Sequence, residues 1–506
     1  MTVPQEFQAL RTGPMEGPET IVGQIFHFAQ VTPQAAALVI RERHVPYAEL
    51  AQRVSSIAAQ WSESGLRPGE RVILPASSSL HFVANYLAVH ASGAIAVPVD
   101  SAAPKARLEF IRERVAARWL LTSAEQKACS ERAEGALAPD ALDGAGITAH
   151  APEEVADIMF TSGTTGAPKG VMLTHQGLRR AAMHINAAVG TQQDDIEVLA
   201  LPLAHSFGLG SLRCLLSVGA CAVLVEGFAF PGQIFDALER HRATGFRSVP
   251  AGLATLFRLS QDKLGEFADQ LRYLEFGSAP MPREDKLRLM RLLPRTRLCM
   301  HYGLTEATRS VYTEFHSEAE HLDSIGRPAP GVEARIVGEQ GTDMPANAAG
   351  EIWIRGPHVM GAYWQDPERS AATLGDGWLR TGDYGHRDER GRLYLTGRRS
   401  DMINVGGRKL SPVEVEEALR GHPAVRDCAC VGIPDPDGLA GEAVAVVVVP
   451  AQDAAAEEKP LRAHLRATLE PYKIPSRWVF ADALPYTANG KVQRHILREQ
   501  LTAGAS

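Results

Sequence analysis

A chain of 506 residues, 45% hydrophobic and 22% charged, is globular in composition and too long for one ordinary core, so two or more domains are expected. The net charge of −7, with no polybasic run, argues against nucleic acid or an anionic membrane surface as a partner. The six cysteines are scattered, without a CxxC pair or zinc spacing, as in a protein that keeps free thiols in a reducing compartment.

The opening MTVPQEFQALRTGPM lacks a charged start followed by an apolar core, so no signal peptide is expected. Residues 37–40 read as a strand. Residues 47–64 read as a helix with Leu50, Val54, Ile57 and Trp61 on one stripe. After a turn at Arg67-Pro68-Gly69 come a strand (72–74), a second helix (80–91) and an apolar strand (94–99) whose Pro98 suggests a sheet edge. Strands alternating with helices predict an α/β fold with largely parallel pairing. Residues 133–146, rich in Ala, Gly, Asp and Pro, read as a surface connection, and a further α/β stretch runs over 194–304. Beyond Gly350 the segments EIWIRG, GWLRTGDYG and GRLYLTGRRSD are short strands and turns of a β-rich subdomain. A compact βα pattern follows, in which 451–459 is a polar loop and the apolar run 443–449 is a buried strand, too short to span a bilayer. Cys428 and Cys430 share a strand face. The chain ends TAGAS, with no receptor-read tripeptide, and a cytoplasmic location is the expectation.

Residues 161–170, TSGTTGAPKG, form the strongest local signal. Gly163, Gly166 and Gly170 let backbone N–H groups converge on an anion. Ser162, Thr164 and Thr165 add hydroxyl donors, and Lys169 a mobile positive charge. The loop is not a Walker A loop: counted from Gly163, Pro168 stands where that motif has its second glycine, and Gly170 where it has a hydroxyl after the lysine. The chemistry suits a pyrophosphate that is held and then released.

Together with HYGLTE, TGD, GRRSD and ANGK, this loop resembles the core motifs of the adenylate-forming superfamily, which holds acyl- and aryl-CoA synthetases, the adenylation domains of peptide synthetases and beetle luciferases. The resemblance runs in order over nearly the whole chain. It implies a large N-terminal domain of α/β sheets with the β-rich subdomain (1–399) and a small mobile C-terminal α+β domain (400–506), with a hinge near Asp401. The implied reaction turns a carboxylate and ATP into an acyl-adenylate and pyrophosphate, then passes the acyl group to a thiol. By the same resemblance Glu306 and Thr161 meet Mg²⁺, a hard cation that favours oxygen. Thr305 binds the α-phosphate and Tyr302 stacks on adenine, beside Gly277, Ser278 and Ala279, whose small side chains let backbone approach a flat ring. Asp383 and Arg398 take the ribose diol. Lys491, after the turn pair Asn489-Gly490, bridges carboxylate and phosphate during adenylation. Rotation about Asp401 would then exchange it for residues 404–412.

The acid is constrained by one departure. Where peptide-synthetase domains have an aspartate after the aromatic residue, this chain has Gly208 after Phe207, and a buried ammonium without a counter-charge is costly. An α-amino acid is therefore disfavoured, and an aryl or short to medium aliphatic acid is expected. His205 resembles the aromatic gate beside the carboxylate. Gly208, Gly210, Ala251 and Gly252 leave room in the pocket, and Arg309 either meets a polar substituent or pairs on the surface. HLDSI superficially resembles a carrier-protein motif but lacks the preceding glycine, so a fused carrier is rejected. The thiol then comes from CoA or from the phosphopantetheine of a separate acyl carrier protein, past a tunnel mouth at Gly406, Gly407, Arg408 and Lys409. CoA is the favoured acceptor. A luciferase-like oxygenase shares the fold and the first step, but no residue favours it.

Overall fold

The computed structural model describes residues 18–135, 151–161, 168–398, 401–405, 408–435, 441–451, 456–486 and 492–503. The described parts of Met1–Ala334 and Ile354–Arg380 form one compact unit, and those of Arg335–Trp353 and Thr381–Ser506 a smaller second one. This division assigns Asp383 and Arg398 to the second unit, whereas the sequence reading placed them in the first.

The first unit is α/β, as the alternation of strands and helices predicts. A nine-stranded sheet has a parallel centre, in which Gly245–Ser248 lies between Ile196–Leu199 and Tyr273–Phe276, and Arg297–Tyr302 follows. A six-stranded sheet runs in the order Ala362–Tyr363, Lys169–Thr174, Val155–Thr161, Ile95–Asp100, Arg71–Ala76, Trp119–Leu120. Helix Tyr47–Glu63 buries the expected stripe of Leu50, Val54, Ile57 and Trp61. Helix Leu80–Ala91 buries every residue but His81, starting from Ser79, whose hydroxyl accepts from Phe82 N.

Three local expectations change. Ile95–Asp100 is an interior strand, not an edge. Its register to Val155–Thr161 is confined to Ala96↔Asp157, so Pro98 falls beyond the pairing that its missing N–H would break. Ala133–Gly135 belong to helix Ser123–Gly135, with Ala133 fully buried, because Ala and Glu extend the helix further than the composition of 133–146 suggested. The rest of that stretch lies outside the described residues. Glu458 and Lys459, read as loop, begin helix Glu458–Arg466, whose Leu461 and Leu465 are buried at i, i+4 spacing.

In the second unit, Glu442–Pro450 is the middle strand of a three-stranded sheet, antiparallel to Val425–Pro434 and parallel to Arg477–Phe480. One face packs Cys428, Cys430, Val446 and Val448 against Val415, Leu419, Leu461 and Leu465. The other packs Ala445 and Val447 against Leu484, Leu497 and Leu501. Burial on both faces explains the unbroken apolar run in place of alternation. No helix among the described residues is long and apolar enough to cross a membrane.

Candidate active site

Thr161 and Lys169 face each other at the open end of an antiparallel pair, Val155–Thr161 with Lys169–Thr174, and Tyr363 pairs with Val171 on the other side. That register gathers three side chains. Lys169 Nζ lies 2.7 Å from Glu306 Oε1 and donates to Tyr363 Oη at 2.8 Å, while the tyrosine hydroxyl donates to Glu306 Oε1 at 2.8 Å. The lysine also stands 4.5 Å from the Tyr363 ring centroid. Burial pushes the Glu306 carboxyl up, but the Lys169 charge and the Lys169 and Tyr363 hydrogen bonds outweigh it. The acid is held below its ordinary range and stays ionised. Burial, then the Glu306 charge, pushes the Tyr363 hydroxyl far up, which keeps it a donor.

Glu306 is held by its own turn. Leu304 and Ala307 exchange backbone hydrogen bonds of 3.0 and 3.2 Å, and Met360 N donates to the Glu306 carbonyl at 2.7 Å. Gly303 is required there: a Cβ would stand 2.2 Å from Arg309 N. Thr161 Oγ1 is buried and has no hydrogen-bond partner among the described residues. A hydroxyl left so costs roughly 1–3 kcal/mol, which a ligand atom would recover. A buried hydroxyl oxygen with an ionised carboxylate fits Mg²⁺, which takes one or two protein oxygens and completes its shell from phosphates and water.

The segments expected at the nucleotide leave the C-terminal ends of adjacent parallel strands, Gly277–Ala279 after Tyr273–Phe276 and Gly303–Glu306 after Arg297–Tyr302. That end of a parallel sheet is where open α/β folds bind ligands. Ser278 and Arg309 have φ of 74° and 51°, the left-handed region that side chains disfavour, so both bends are strained. Tyr302 is buried at its strand end and Thr305 is half-buried.

His205 precedes helix Ser206–Leu216 as its N-cap, and Phe207 is buried in the first turn. Arg309 is not a surface residue. It is 1% exposed, lies over the Phe207 ring at 4.6 Å, and donates to Phe207 O at 2.6 Å and Ser211 Oγ at 2.7 Å. The idea that the glycines leave room is corrected at Gly208 and Gly252. A Cβ on Gly208 would stand 2.3 Å from Pro202 O, one on Gly252 2.8 Å from Ser248 Oγ and 2.9 Å from the Phe228 ring, and one on Gly210 would touch Arg309 at 3.7 Å. The space at Gly208 and Gly252 is filled by protein, that at Gly210 ends in ordinary contact with Arg309, and Ala251 is exposed on the helix surface.

In the second unit, Asp383 and Arg398 are register partners, with Arg398 Nε 2.9 Å from Asp383 Oδ1. Asp401 lies 4.0 Å from Arg494 and its N–H donates to Arg398 O at 3.1 Å. Arg408, on a short strand paired with Ile403–Val405, has its guanidinium 5.1 Å from the Tyr472 ring. Ser162, Gly163, Thr164, Thr165, Gly166, Gly406, Gly407 and Lys491 lie outside the described residues, as does the side chain of Lys409.

The AMP-binding enzyme family model matches residues 25–364, and the AMP-binding enzyme C-terminal domain matches 414–491. This chain belongs to the adenylate-forming superfamily. It is 32% identical over 489 residues to feruloyl-CoA synthase of an Amycolatopsis species, covering 93% of this chain and 97% of the relative. Among solved structures, it resembles o-succinylbenzoate CoA synthetase from Bacillus subtilis in complex with its acyl-adenylate intermediate (TM-score 0.83, 28% identity, 94% and 97% covered). ATP-bound MatB from Rhodopseudomonas palustris aligns with TM-score 0.85, 26% identity and 96% and 100% coverage. This adenylate-forming enzyme is thus an AMP-forming acid–thiol ligase. Tyr363, which ties Lys169 to Glu306, escaped the sequence reading. It sits in MGAYWQDP, outside every motif, and only the strand register discloses it.

Proposed function

We propose that the enzyme activates a carboxylic acid without an α-amine, aryl or short to medium aliphatic, and transfers it to CoA. The observation that carries the first half is Gly208. Its place is sealed by the Pro202 carbonyl at 2.3 Å from a would-be Cβ, so no acidic side chain fits there to balance an ammonium. The names of the CoA-ligase relatives support the second half.

Thr161 and Glu306 would hold Mg²⁺, which neutralises phosphate charge. Lys169 is positioned to exchange Glu306 for a phosphate oxygen, so each charge keeps an opposite partner throughout. Tyr363 then donates to the freed carboxylate and holds its orientation. Gly277–Ala279, Tyr302 and Thr305 are assigned to the adenine and α-phosphate. In the second unit we assign the ribose diol to Asp383 with Arg398, the adenylation charge to Lys491, the hinge to Asp401, and the thiol approach to Gly406, Gly407, Arg408 and Lys409.

The test is exchange of labelled pyrophosphate into ATP across a panel of aryl, aliphatic and α-amino acids with Mg²⁺. Exchange with acids lacking the amine is expected. Exchange with an α-amino acid above all others would overturn the reading.

A further inference from the structure

The hairpin assigned to the thiol approach is fastened to the sheet beside it by a carboxylate. Strands Ile403–Val405 and Arg408–Leu410 pair through Ile403↔Leu410, Asn404↔Lys409 and Val405↔Arg408. Ile403 and Leu410, each 1% exposed, anchor the end of this pair in the core of the second unit. The N–H of Asn404 donates not to the partner strand but to Glu442 Oε2, at 2.8 Å, and Val405 forms a bridge with the neighbouring Gly441. Glu442 opens strand Glu442–Pro450. At the strand's period of two, its side chain shares a face with Val444, Val446 and Val448, which pack in one core with Ile403 and Leu410. Its other oxygen, Oε1, accepts from Arg498 Nη2 at 2.6 Å, on helix Arg494–Ala503. The sheet makes room for this junction at Gly432, where a Cβ would stand 3.0 Å from Glu442 Oε1 and 3.1 Å from Ile403 Cγ2.

We propose that Glu442 is a positioning residue of the transfer half-reaction: by fixing the Asn404 backbone it holds the hairpin where the thiol-bearing arm approaches. The proposal rests on the reading that residues 404–412 meet that arm and that Lys491 serves adenylation. A hydrogen bond from a backbone N–H to a carboxylate is roughly twice as strong as one between neutral groups, and Arg498 fixes the orientation of the acceptor. With that bond gone, the hairpin keeps its core anchors but loses the contact nearest its tip. The partners of Glu442, Asn404 and Arg498, are not assigned to nucleotide or acid, so its loss leaves the first half-reaction standing. Lys491 falls within the same stretch, 381–506, so intact adenylation reports that this unit is folded.

The experiment measures the half-reactions separately in the full-length enzyme. Pyrophosphate exchange reads the first, and thioester formation from supplied acyl-adenylate over a CoA titration reads the second. Hydrogen exchange, followed by mass spectrometry in peptides spanning 401–411, reads the hairpin itself. Glu442→Ala is expected to lower kcat/KM for CoA about tenfold, the scale of a misplaced positioning group, with pyrophosphate exchange unchanged and faster hydrogen exchange in those peptides. Glu442→Gln, whose amide oxygen still accepts from the Asn404 N–H, is expected to keep most of the transfer rate and of the protection. Arg408→Glu reverses a charge on the exposed hairpin and is expected to slow transfer to anionic CoA whatever Glu442 does. If Arg408→Glu slows transfer and Glu442→Ala does not, the proposal alone is overturned. It is overturned equally if Glu442→Ala lowers both half-reactions together with the unfolding temperature, or if Glu442→Gln loses as much transfer as Glu442→Ala. If neither Arg408→Glu nor Glu442→Ala alters transfer, the parent assignment of the hairpin to the thiol falls with it.

Discussion

Replacing Thr161 by valine separates a functional hydroxyl from a structural one by the sign of two effects. Valine has nearly the same shape, favours strands, and sits at the end of Val155–Thr161 opposite Lys169. The Thr161 hydroxyl is buried with no hydrogen-bond partner among the described residues, so removing it relieves a desolvation cost of roughly 1–3 kcal/mol. Without nucleotide, Thr161→Val is therefore expected to hold or raise the unfolding temperature, by about 1–4 °C. With Mg²⁺ and ATP the same change deletes a cation ligand and is expected to lower pyrophosphate exchange roughly tenfold to a hundredfold, and to raise the Mg²⁺ needed for half-maximal exchange. Thermal unfolding with and without Mg²⁺ and ATP, alongside exchange rates over a Mg²⁺ titration, reads both effects. A variant less stable without nucleotide, with its Mg²⁺ dependence unchanged, would refute the reasoning.

Other expectations are as specific. Gly208→Asp should not create α-amino acid activity but should destabilise the protein by several kcal/mol, since its Cβ meets the Pro202 carbonyl at 2.3 Å; urea unfolding and the exchange panel check both. Burial holds the His184 ring down at about 4, and burial likewise depresses His358 beside it. Unfolded histidines take up a proton near pH 6.5 and His184 when folded only near 4, so the unfolded state binds more protons between those values. Stability should fall as pH drops through that window, by roughly 3 kcal/mol from His184 at its lower end, and urea midpoints measured across it should flatten in His184→Gln. Lys491→Ala should abolish adenylation while sparing thioester formation from supplied acyl-adenylate, and equal loss of both half-reactions, followed by mass spectrometry, would contradict the division of labour.

What the sequence made legible was periodic or motif-borne. The stripe of Leu50, Val54, Ile57 and Trp61 is a helix-period signal, and it becomes a buried face. The motifs around Thr161 and Glu306 name their residues but not their geometry. That the two flank Lys169, and that Tyr363 completes the group, depends on pairing between residues 194 apart, which no local pattern encodes. Gly208 was read for the side chain it lacks, whereas its cause is the carbonyl packed against it. The sequence leaves Arg309 between a polar substituent of the substrate and a surface pair, because no local pattern signals a buried arginine. Its burial depends on Phe207 O and Ser211 Oγ, brought by a helix about a hundred positions earlier in the chain. Pro98 misled for the opposite reason: an interior strand tolerates proline where the ladder on one side has already stopped.

The most direct test of the account is a product balance. Purified enzyme is incubated with ATP, Mg²⁺ and the acid best used in the exchange panel, with free CoA or a phosphopantetheinylated carrier protein as acceptor, and all products are quantified by mass spectrometry. The account predicts AMP, pyrophosphate and acyl-CoA in equal amounts, with the carrier left unloaded. ADP and phosphate in place of AMP and pyrophosphate, or acyl groups on the carrier with none on CoA, would contradict it.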